Sequence, residues 1–427
     1  MKRIVHYCQG ESHKSSGKPC QDCAYAESSP DLSIAIVCDG HGGERYFRSQ
    51  IGSQLAVAVT KKAVKEFLEK IDFSSYARDK REPLFVGEKF TDYFADNSTP
   101  EFADKAEHKA LMWLFSSIIS EWNKEIALDA TNSELTEWEL AHVEQQYLDE
   151  FNAKRQDRDP DATFEKTYGC TLMAYVQTKE FWFAFHIGDG KFVAFDNDNG
   201  TLACSQPIPW DERCFLNKTT SMCDSNAIER FRYCYQGDGH FPLAVFLGSD
   251  GLDDSYGDGE HLYNFYIEIY KLLIRKGYDK TMKTLTHDLP MISKVGSKDD
   301  MSVAAIYDDS DPIGTFLLLS NYQESQLTIK AQSLEQKIAD LQQKILDFGD
   351  PEKLSKAELI NLQYAKNDLQ KAKKNKKKNK NKLAAIRSER TKFKNRNDVQ
   401  DEATQVEETL TLPLELDSET DVAAEKE

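Results

Sequence analysis

The chain has 427 residues, 40% of them hydrophobic and 30% charged, an ordinary balance for a globular protein with a sizeable core. A formal net charge of −18 argues against a surface built for nucleic acid or anionic membranes. No apolar run reaches the ~20 residues of a spanning helix, and the start MKRIVHYCQGESHK lacks the apolar stretch of a signal peptide.

Nine scattered cysteines, several inside apolar runs, read as reduced thiols and predict a cytoplasmic location. Cys20-x-x-Cys23 has no second pair at zinc-site spacing.

From the N-terminus, LSIAIVCD (32–39), CTLMAYVQ (170–177), FWFAFHIGD (181–189), KFVAFD (191–196), PLAVFLGSD (242–250) and MSVAAIYD (301–308) are short runs rich in β-branched and aromatic residues. They read as strands, several buried on both faces. Asn199-Gly200 predicts a hairpin turn. Between the first two strands, Ile51, Leu55, Ala58, Ala63 and Phe67 fit one helix face, and Leu111, Leu114, Phe115, Ile118, Trp122 and Ile126 fit another. A polar stretch over about 74–101 separates them, a third helix is predicted over about 133–152, and a further one over 261–277. Beyond 320, Leu327, Ala331, Leu334, Ile338, Leu341 and Ile345 form a coiled-coil seam, broken at Gly349-Asp350-Pro351 and followed by a second helical run. The expectation is a helical hairpin or coiled coil over 320–370. A basic and then acidic tail over 371–427 is expected to lack structure.

Carboxylates recur where strands end. Asp39-Gly40 follows one strand, Gly188-Asp189-Gly190 another and Ser249-Asp250-Gly251 a third, while Asp299-Asp300 precedes a fourth and Asp22 adjoins a fifth segment. One such Asp-Gly is usually only a turn. Several converging on one edge cannot all stay ionised without a cation. Hard divalent ions such as Mg²⁺ and Mn²⁺ suit oxygen ligands, and glycine beside a carboxylate lets a carbonyl approach the ion. Two ions ~3.5 to 4 Å apart can deprotonate a shared water for in-line attack on phosphorus. His41, two residues beyond Asp39, is placed to protonate the leaving oxygen. Calcium is the competing reading, but DNDNG (196–200) carries its glycine one position early for an EF-hand loop and lacks the twelfth-position glutamate.

GESHKSSGKPCQDCAYAE, VCDGHGG, YGCTLMAYV, HIGDGKF, LGSDGLDDSY and GSKDDMSVAAI, in this order over about residues 8–308, resemble the metal-dependent protein phosphatases of type 2C, the first in its bacterial form. The resemblance implies an α+β fold, a β-sandwich of two mostly antiparallel sheets flanked by helices (α/β/β/α). It makes residues 1–312 the catalytic domain, with a helical insertion at about 74–165 and a mobile flap at about 206–240.

It further implies hydrolysis of phosphoserine and phosphothreonine with two Mn²⁺ or Mg²⁺ ions and a weaker third in many members. Asp39 and the Gly40 carbonyl, Asp250, Asp299 and Asp22 match the ligands of the first two ions, Asp189 and Asp254 those of the third, and His41 the general acid. The opening motif usually reads Glu-Asp, and here it is Gln21-Asp22; the usual Asp-Asn before the last strand is Asp299-Asp300, which partly restores charge near the ions. A common tryptophan is absent, leaving Asp253. The phosphate-binding arginine has no counterpart, and Lys18 or His13 are the candidate replacements.

The expected partners are phosphoserine and phosphothreonine proteins, a cognate bacterial Ser/Thr kinase, and a protein partner or second copy on the coiled coil. Nucleic acid is disfavoured because the basic run over about 371–396 has only Phe393 as aromatic interleaving and an acidic segment follows. Trp210 and Phe215 in the flap are expected to pack inward. The rival reading is a catalytically silent phosphoprotein-binding scaffold that acts through its coiled-coil tail.

Overall fold

The computed structural model describes residues 1–70, 85–86, 106–156, 163–208, 210–214, 218–237, 239–257 and 259–398. These form two compact units. Among the described residues, one takes 1–196 and 203–310, and the other takes 197–202 and 311–398.

The first unit is built on two sheets. Strands β1 (Lys2–Cys8), β11 (Met301–Tyr307), β10 (Ala244–Gly248), β7 (Lys191–Asp198) and β8 (Thr201–Ser205) lie side by side in that order. The second sheet runs β2 (Cys23–Ser28), β3 (Ser33–Cys38), β5 (Leu172–Gln177), β6 (Trp182–Ile187), β9 (Arg232–Gln236) and the short β4 (Phe85–Val86). The registered neighbours pair antiparallel. Asn199 and Gly200 carry φ of 50° and 85° at the β7–β8 turn, the left-handed pair that the Asn-Gly sequence favours.

Burial explains why the strands are apolar on every residue. On β3, Ala35 and Val37 meet Met173, Tyr175, Val245, Leu247, Ala304 and Ile306 between the sheets. The alternate residues Ile34, Ile36 and Cys38 face the opposite way, into a core with Phe67, Leu114, Phe115 and Ile118 from the helices α2 (Ser49–Lys70) and α3 (Ala106–Asn132). Both faces of the strand are therefore dry. Outside the other sheet lie α8 (Gly259–Lys276) and α9 (Tyr278–Val295), with Tyr266 stacked on Phe246 at 4.6 Å.

Several elements differ from the sequence expectation. Ala58 on α2 is exposed, and the buried face runs through Gly52, Ala56, Val59, Thr60, Val64 and Phe67. The run predicted as one helix over 133–152 is two, α4 (Glu137–His142) and α5 (Gln145–Gln156). Thr136 caps α4 reciprocally with Glu139 and so starts a new helix there. The insertion centred on 74–101 lies outside the described residues, apart from β4. Within 206–240 are the short α6 (Ala227–Arg230) and β9, a paired strand of the second sheet where a mobile flap was expected.

The second unit is a hairpin of α10 (Pro312–Asp347) and α11 (Lys356–Asp398). The basic run from 371, expected to lack structure, lies inside α11. Lysine is a good helix former, and the seam of the hairpin continues through the run as Leu362, Ala365, Ala372 and Asn379, all buried. Asn379 Nδ2 donates to the Leu327 carbonyl at 2.8 Å, Lys376 pairs with Glu335, Arg387 and Arg390 pair with Glu324, and Phe393 stacks on Phe316. The acidic remainder, 399–427, is outside the described residues.

Candidate metal centre and active site

Sheet register brings the carboxylates together. Cys23 pairs with Cys38 at the ends of β2 and β3, which sets Asp22 and Asp39 as the next residues along adjacent strands. Gly248 pairs with both Lys191 and Val303, so Asp250 after β10, Asp189 before β7 and Asp299-Asp300 before β11 emerge at one edge.

Close backbone packing fixes that edge. Thr171 N–H donates to the Asp39 carbonyl at 2.7 Å and its hydroxyl accepts from Asp39 N–H, while His41 N–H donates to the Gly169 carbonyl. A Cβ on Gly40 would come 2.8 Å from the Gln21 carbonyl, and one on Gly251 would come 2.0 Å from that of Asp300. Both glycines are required by contact.

The electrostatics are those of an uncompensated anionic pocket. Asp22 is 2% exposed. Burial raises its pKa well above the carboxylate range, and the charges of Asp300 and Asp250 add to the rise. The hydroxyls of Ser249 and Ser302 oppose the rise by proximity, yet both Asp22 carboxylate oxygens are buried without a hydrogen-bond partner. Asp39 is likewise raised well above its usual range, by burial first and then by Asp22 and Asp250. Asp250 is pushed up to about 7 by burial, with Asp189, Asp299 and Asp254 adding, and its Oδ1 is another buried atom without a partner. The Asp39 and Asp250 carboxyls lie close enough to disfavour joint ionisation. Asp189 and Asp254 are raised in the same way, chiefly by burial. Orphaned, converging oxygen donors of this kind fit divalent cations.

Around this cluster the candidates separate. Lys18 Nζ donates to the Gly42 carbonyl at 2.5 Å; burial lowers its pKa, while Asp299, Asp300 and Glu44 pull it up. His13 is committed elsewhere, with Nδ1 2.9 Å from Asp300. Asp300 also accepts from the backbone N–H of Gly10 and Gln21 at 2.6 and 2.5 Å. Burial would raise the Asp300 carboxyl, but His13 and these N–H groups together hold it below its ordinary value. Asp300 therefore organises the opening loop, and its charge also reaches Asp22, whose pKa it helps to raise. Gln21, 1% exposed, donates through Nε2 to the His41 carbonyl at 3.0 Å and to Ser49 Oγ, so the amide fixes the loop that carries His41.

The His41 imidazole edges onto the Tyr46 ring at 4.8 Å, and its Nε2 is 2.6 Å from Ser221 Oγ. Burial pushes it down to about 4, against the pull of Asp224, with Lys166 adding to the fall. Lys191 lies 3.5 Å from Asp253 and 3.6 Å from the centre of the Trp210 ring. Trp210 is 42% exposed, contrary to the inward packing expected of it; Phe215 lies outside the described residues.

Sequence reasoning missed Arg232, Asp211 and the run Thr219-Thr220-Ser221. Buried Arg232 donates to the Gly188 carbonyl at 2.7 Å and contacts His186 Nδ1 at 2.9 Å, with Asp211 3.4 Å from its Nε. Asp211 also takes a two-pronged contact from Arg213. Gly188, at φ 128°, is thereby pinned just before Asp189. No periodicity or motif marks these residues. Only their buried contacts do.

A family model described as Protein phosphatase 2C matches residues 9–286. Solved structures similar to this chain include the catalytic domain of the serine threonine protein phosphatase PstP in complex with two manganese ions. It is 14% identical, the match covers 72% of this chain and 98% of that one, and the TM-score is 0.38. Another is a C. elegans sex determining protein, at 13% identity, 75% and 67% coverage and a TM-score of 0.41. A third is PppA, described as a key regulatory component of T6SS in Pseudomonas aeruginosa, at 13%, 72% and 96% with a TM-score of 0.37. No curated protein sequence matches. With the family model matching well over half of its length, the chain belongs to the protein phosphatase 2C family, and it is a protein serine/threonine phosphatase.

Proposed function

We propose that the phosphatase is metal-dependent, and that Asp22, Asp39, the Gly40 carbonyl, Asp250 and Asp299 hold two divalent cations, Mn²⁺ or Mg²⁺, with Asp189 and Asp254 at a weaker third site. The carrying observation is the buried set Asp22, Asp39 and Asp250, whose carboxyls are pushed up and include three oxygens without a partner. When bound, the cations would neutralise the phosphoryl group and supply the acidity that makes water a nucleophile at neutral pH.

The chain's own residues do the rest. His41 gives a proton to the departing serine or threonine oxygen. A dianionic phosphoryl group nearby would raise its pKa from the low value that burial imposes. Lys18, held on the Gly42 carbonyl beside Asp299, meets a phosphoryl oxygen as a point charge. His13 is the weaker candidate because Asp300 holds it. The nine free thiols support a reducing, cytoplasmic setting. No described helix is long and apolar enough to cross a membrane.

We place the substrates among phosphoserine and phosphothreonine proteins, with a cognate kinase as the opposing activity. The hairpin is the surface for a partner protein or a second copy. Nucleic acid is disfavoured, since part of the α11 charge is paired with α10.

The test is hydrolysis of an aryl phosphate and a phosphothreonine peptide with Mn²⁺ or Mg²⁺, comparing wild type with Asp39→Asn and Asp250→Asn. Turnover that requires the ion and that both substitutions abolish is expected. A folded protein inert with both ions would overturn the reading in favour of the phosphoprotein-binding scaffold.

A further inference from the structure

Three consecutive hydroxyls, Thr219, Thr220 and Ser221, reach three different parts of the site. Thr219 lies near Asp189 and opposes the rise of its pKa, Thr220 Oγ1 accepts from Gly188 N–H at 3.0 Å, and Ser221 Oγ lies 2.6 Å from His41 Nε2. The third contact concerns the proton donor itself.

Ser221 is firmly placed. Its backbone N–H donates to Asp224 Oδ2 at 3.1 Å, and Asp224 lies 3.5 Å from both Lys166 and Arg230. Its hydroxyl is shared among Cys170, Cys223 and His41. The Cys170 carbonyl, 3.0 Å away, can only accept, and Cys223 N–H, at 3.2 Å, can only donate. The Cys223 thiol, at 3.1 Å, is a weaker acceptor for the same hydroxyl proton. A hydroxyl has one proton and two lone pairs. With the proton spent on the carbonyl and one lone pair on Cys223, the remaining lone pair faces His41. In this arrangement Nε2 carries a hydrogen.

The ring is fixed from the same side. A Cβ on Gly169 would come 2.8 Å from His41 Cδ2, so the Cδ2–Nε2 edge lies against the wall formed by Gly169 and Ser221. The nitrogen on the other edge is Nδ1.

We propose that Ser221 is the positioning residue of the proton donor: by accepting Nε2–H it fixes the His41 tautomer and makes Nδ1 the atom that gives up the proton. As the bond from phosphorus to the leaving oxygen breaks, the Nδ1 proton passes to that oxygen. The neutral imidazole left behind keeps Nε2–H on Ser221, so no second rearrangement is needed. The idea rests on the phosphatase reading and adds to it a residue whose role no motif marks.

Leaving groups separate this role from a structural one. A nitrophenolate departs without a proton, whereas a threonine alkoxide needs one. We therefore compare kcat/KM for p-nitrophenyl phosphate and a phosphothreonine peptide in full-length protein with saturating Mn²⁺. Ser221→Ala is expected to lower the peptide-to-aryl ratio about tenfold, a fraction of the ~100-fold or more that a full general acid contributes and that His41→Ala should remove. Ser221→Thr, which keeps the hydroxyl, should restore the ratio. Ser221→Ala combined with His41→Ala should be no worse in ratio than His41→Ala alone. The ratio is internal to each preparation, so a partly folded variant still reports it.

Equal losses on the two substrates in Ser221→Ala would overturn the proposal. So would an unchanged ratio in His41→Ala, which would leave the phosphatase reading standing. A wild type inert to both substrates would remove that reading and the proposal with it.

Discussion

Changing Gln21 to the glutamate usual at that position is expected to harm the protein. Gln21 is 1% exposed, and its amide nitrogen donates to the His41 carbonyl and to Ser49 Oγ, whose own proton goes to the same carbonyl at 3.0 Å. An ionised glutamate has no donor. It would set lone pairs against the carbonyl, lose two hydrogen bonds of about 1 kcal/mol each, and leave a buried acceptor unpaired at about 1 kcal/mol or more. A protonated glutamate keeps one donor, but holding it neutral at pH 7 costs about 1.4 kcal/mol for each unit between its ordinary pKa and the solution pH. Either route gives a penalty of about 3–4 kcal/mol, against total stabilities of roughly 5–15 kcal/mol. At about 2 °C or more per kcal/mol, Gln21→Glu should melt at least ~6 °C below wild type in EDTA at pH 7. Because the new carboxyl is raised in the folded state, its penalty should shrink as the pH falls toward 5. Excess Mn²⁺ should also narrow the gap, by giving the added charge a counter-ion. Melting within ~1 °C of wild type, in EDTA at pH 7, would refute this account of the amide.

Three further outcomes follow from the site and the hairpin. Asp22 and Asp39 are raised well above their usual range and Asp250 to about 7, so the metal-free native state takes up protons that the unfolded chain does not. In EDTA, stability measured by urea denaturation should therefore rise as the pH falls from 8 to 7, before the unfolded-state protonation of the depressed histidines His6, His41 and His186 becomes the larger effect. Asp39→Asn should flatten that slope, and a falling curve would contradict the assignment. Arg232→Met removes the buried guanidinium on Gly188 and leaves Asp211 with Arg213 as its one ion-pair partner among the described residues, for an expected loss of about 3 kcal/mol by the same assay; a loss under ~1 kcal/mol would deny the anchor. Asn379→Leu replaces a buried polar residue of the α10–α11 seam and should raise the midpoint of the helical transition followed by circular dichroism, whereas a fall would mean that the Leu327 contact outweighs apolar packing.

How much of this was legible in the sequence depended on whether the cause was local. Strands buried on both faces announce themselves as unbroken apolar runs, as 33–38 and 172–177 do, and each of the six runs read as a strand contains one. The α3 face was legible because all six of its named positions point into one core. The α2 face was misplaced because Gly52, Ser53 and Thr60 are buried there, and small polar residues carry no apolar signal. The α11 helix was hidden by its own charge. Three of the four seam residues, Ala365, Ala372 and Asn379, are alanine or asparagine, and the acidic residues that pair with its cations lie on α10, dozens of residues away in the chain. The site divides in the same way. Asp39, Asp250 and Asp299 stood out by motif, whereas Ser221 and Arg232 act through single long-range contacts to His41 and Gly188.

The two departures at Gln21 and Asp300 are best understood as one. Read along the chain they are a lost charge and a gained charge nearly three hundred residues apart. In space they are neighbours: the Gln21 backbone N–H donates to Asp300 Oδ2 at 2.5 Å, while the Gln21 amide turns to the His41 carbonyl and Ser49 Oγ. The usual Glu-Asp with Asp-Asn places its extra carboxylate on the opening motif. Here the same charge sits on the other partner, where His13 and the Gly10 N–H receive it. Having both carboxylates would add a second buried anion near Asp22, whose pKa Asp300 already helps to raise, while the present pairing keeps the local charge constant. Gln21→Glu and Asp300→Asn should then be non-additive, with the double variant less destabilised than the two losses together by about 1–2 kcal/mol, within the range seen for residues in contact. Asp300→Asn alone still carries a penalty, because an amide cannot accept both backbone N–H groups and His13 at once. Losses that add to within ~0.5 kcal/mol would mean that the two substitutions are independent and that the shared charge is not what links them.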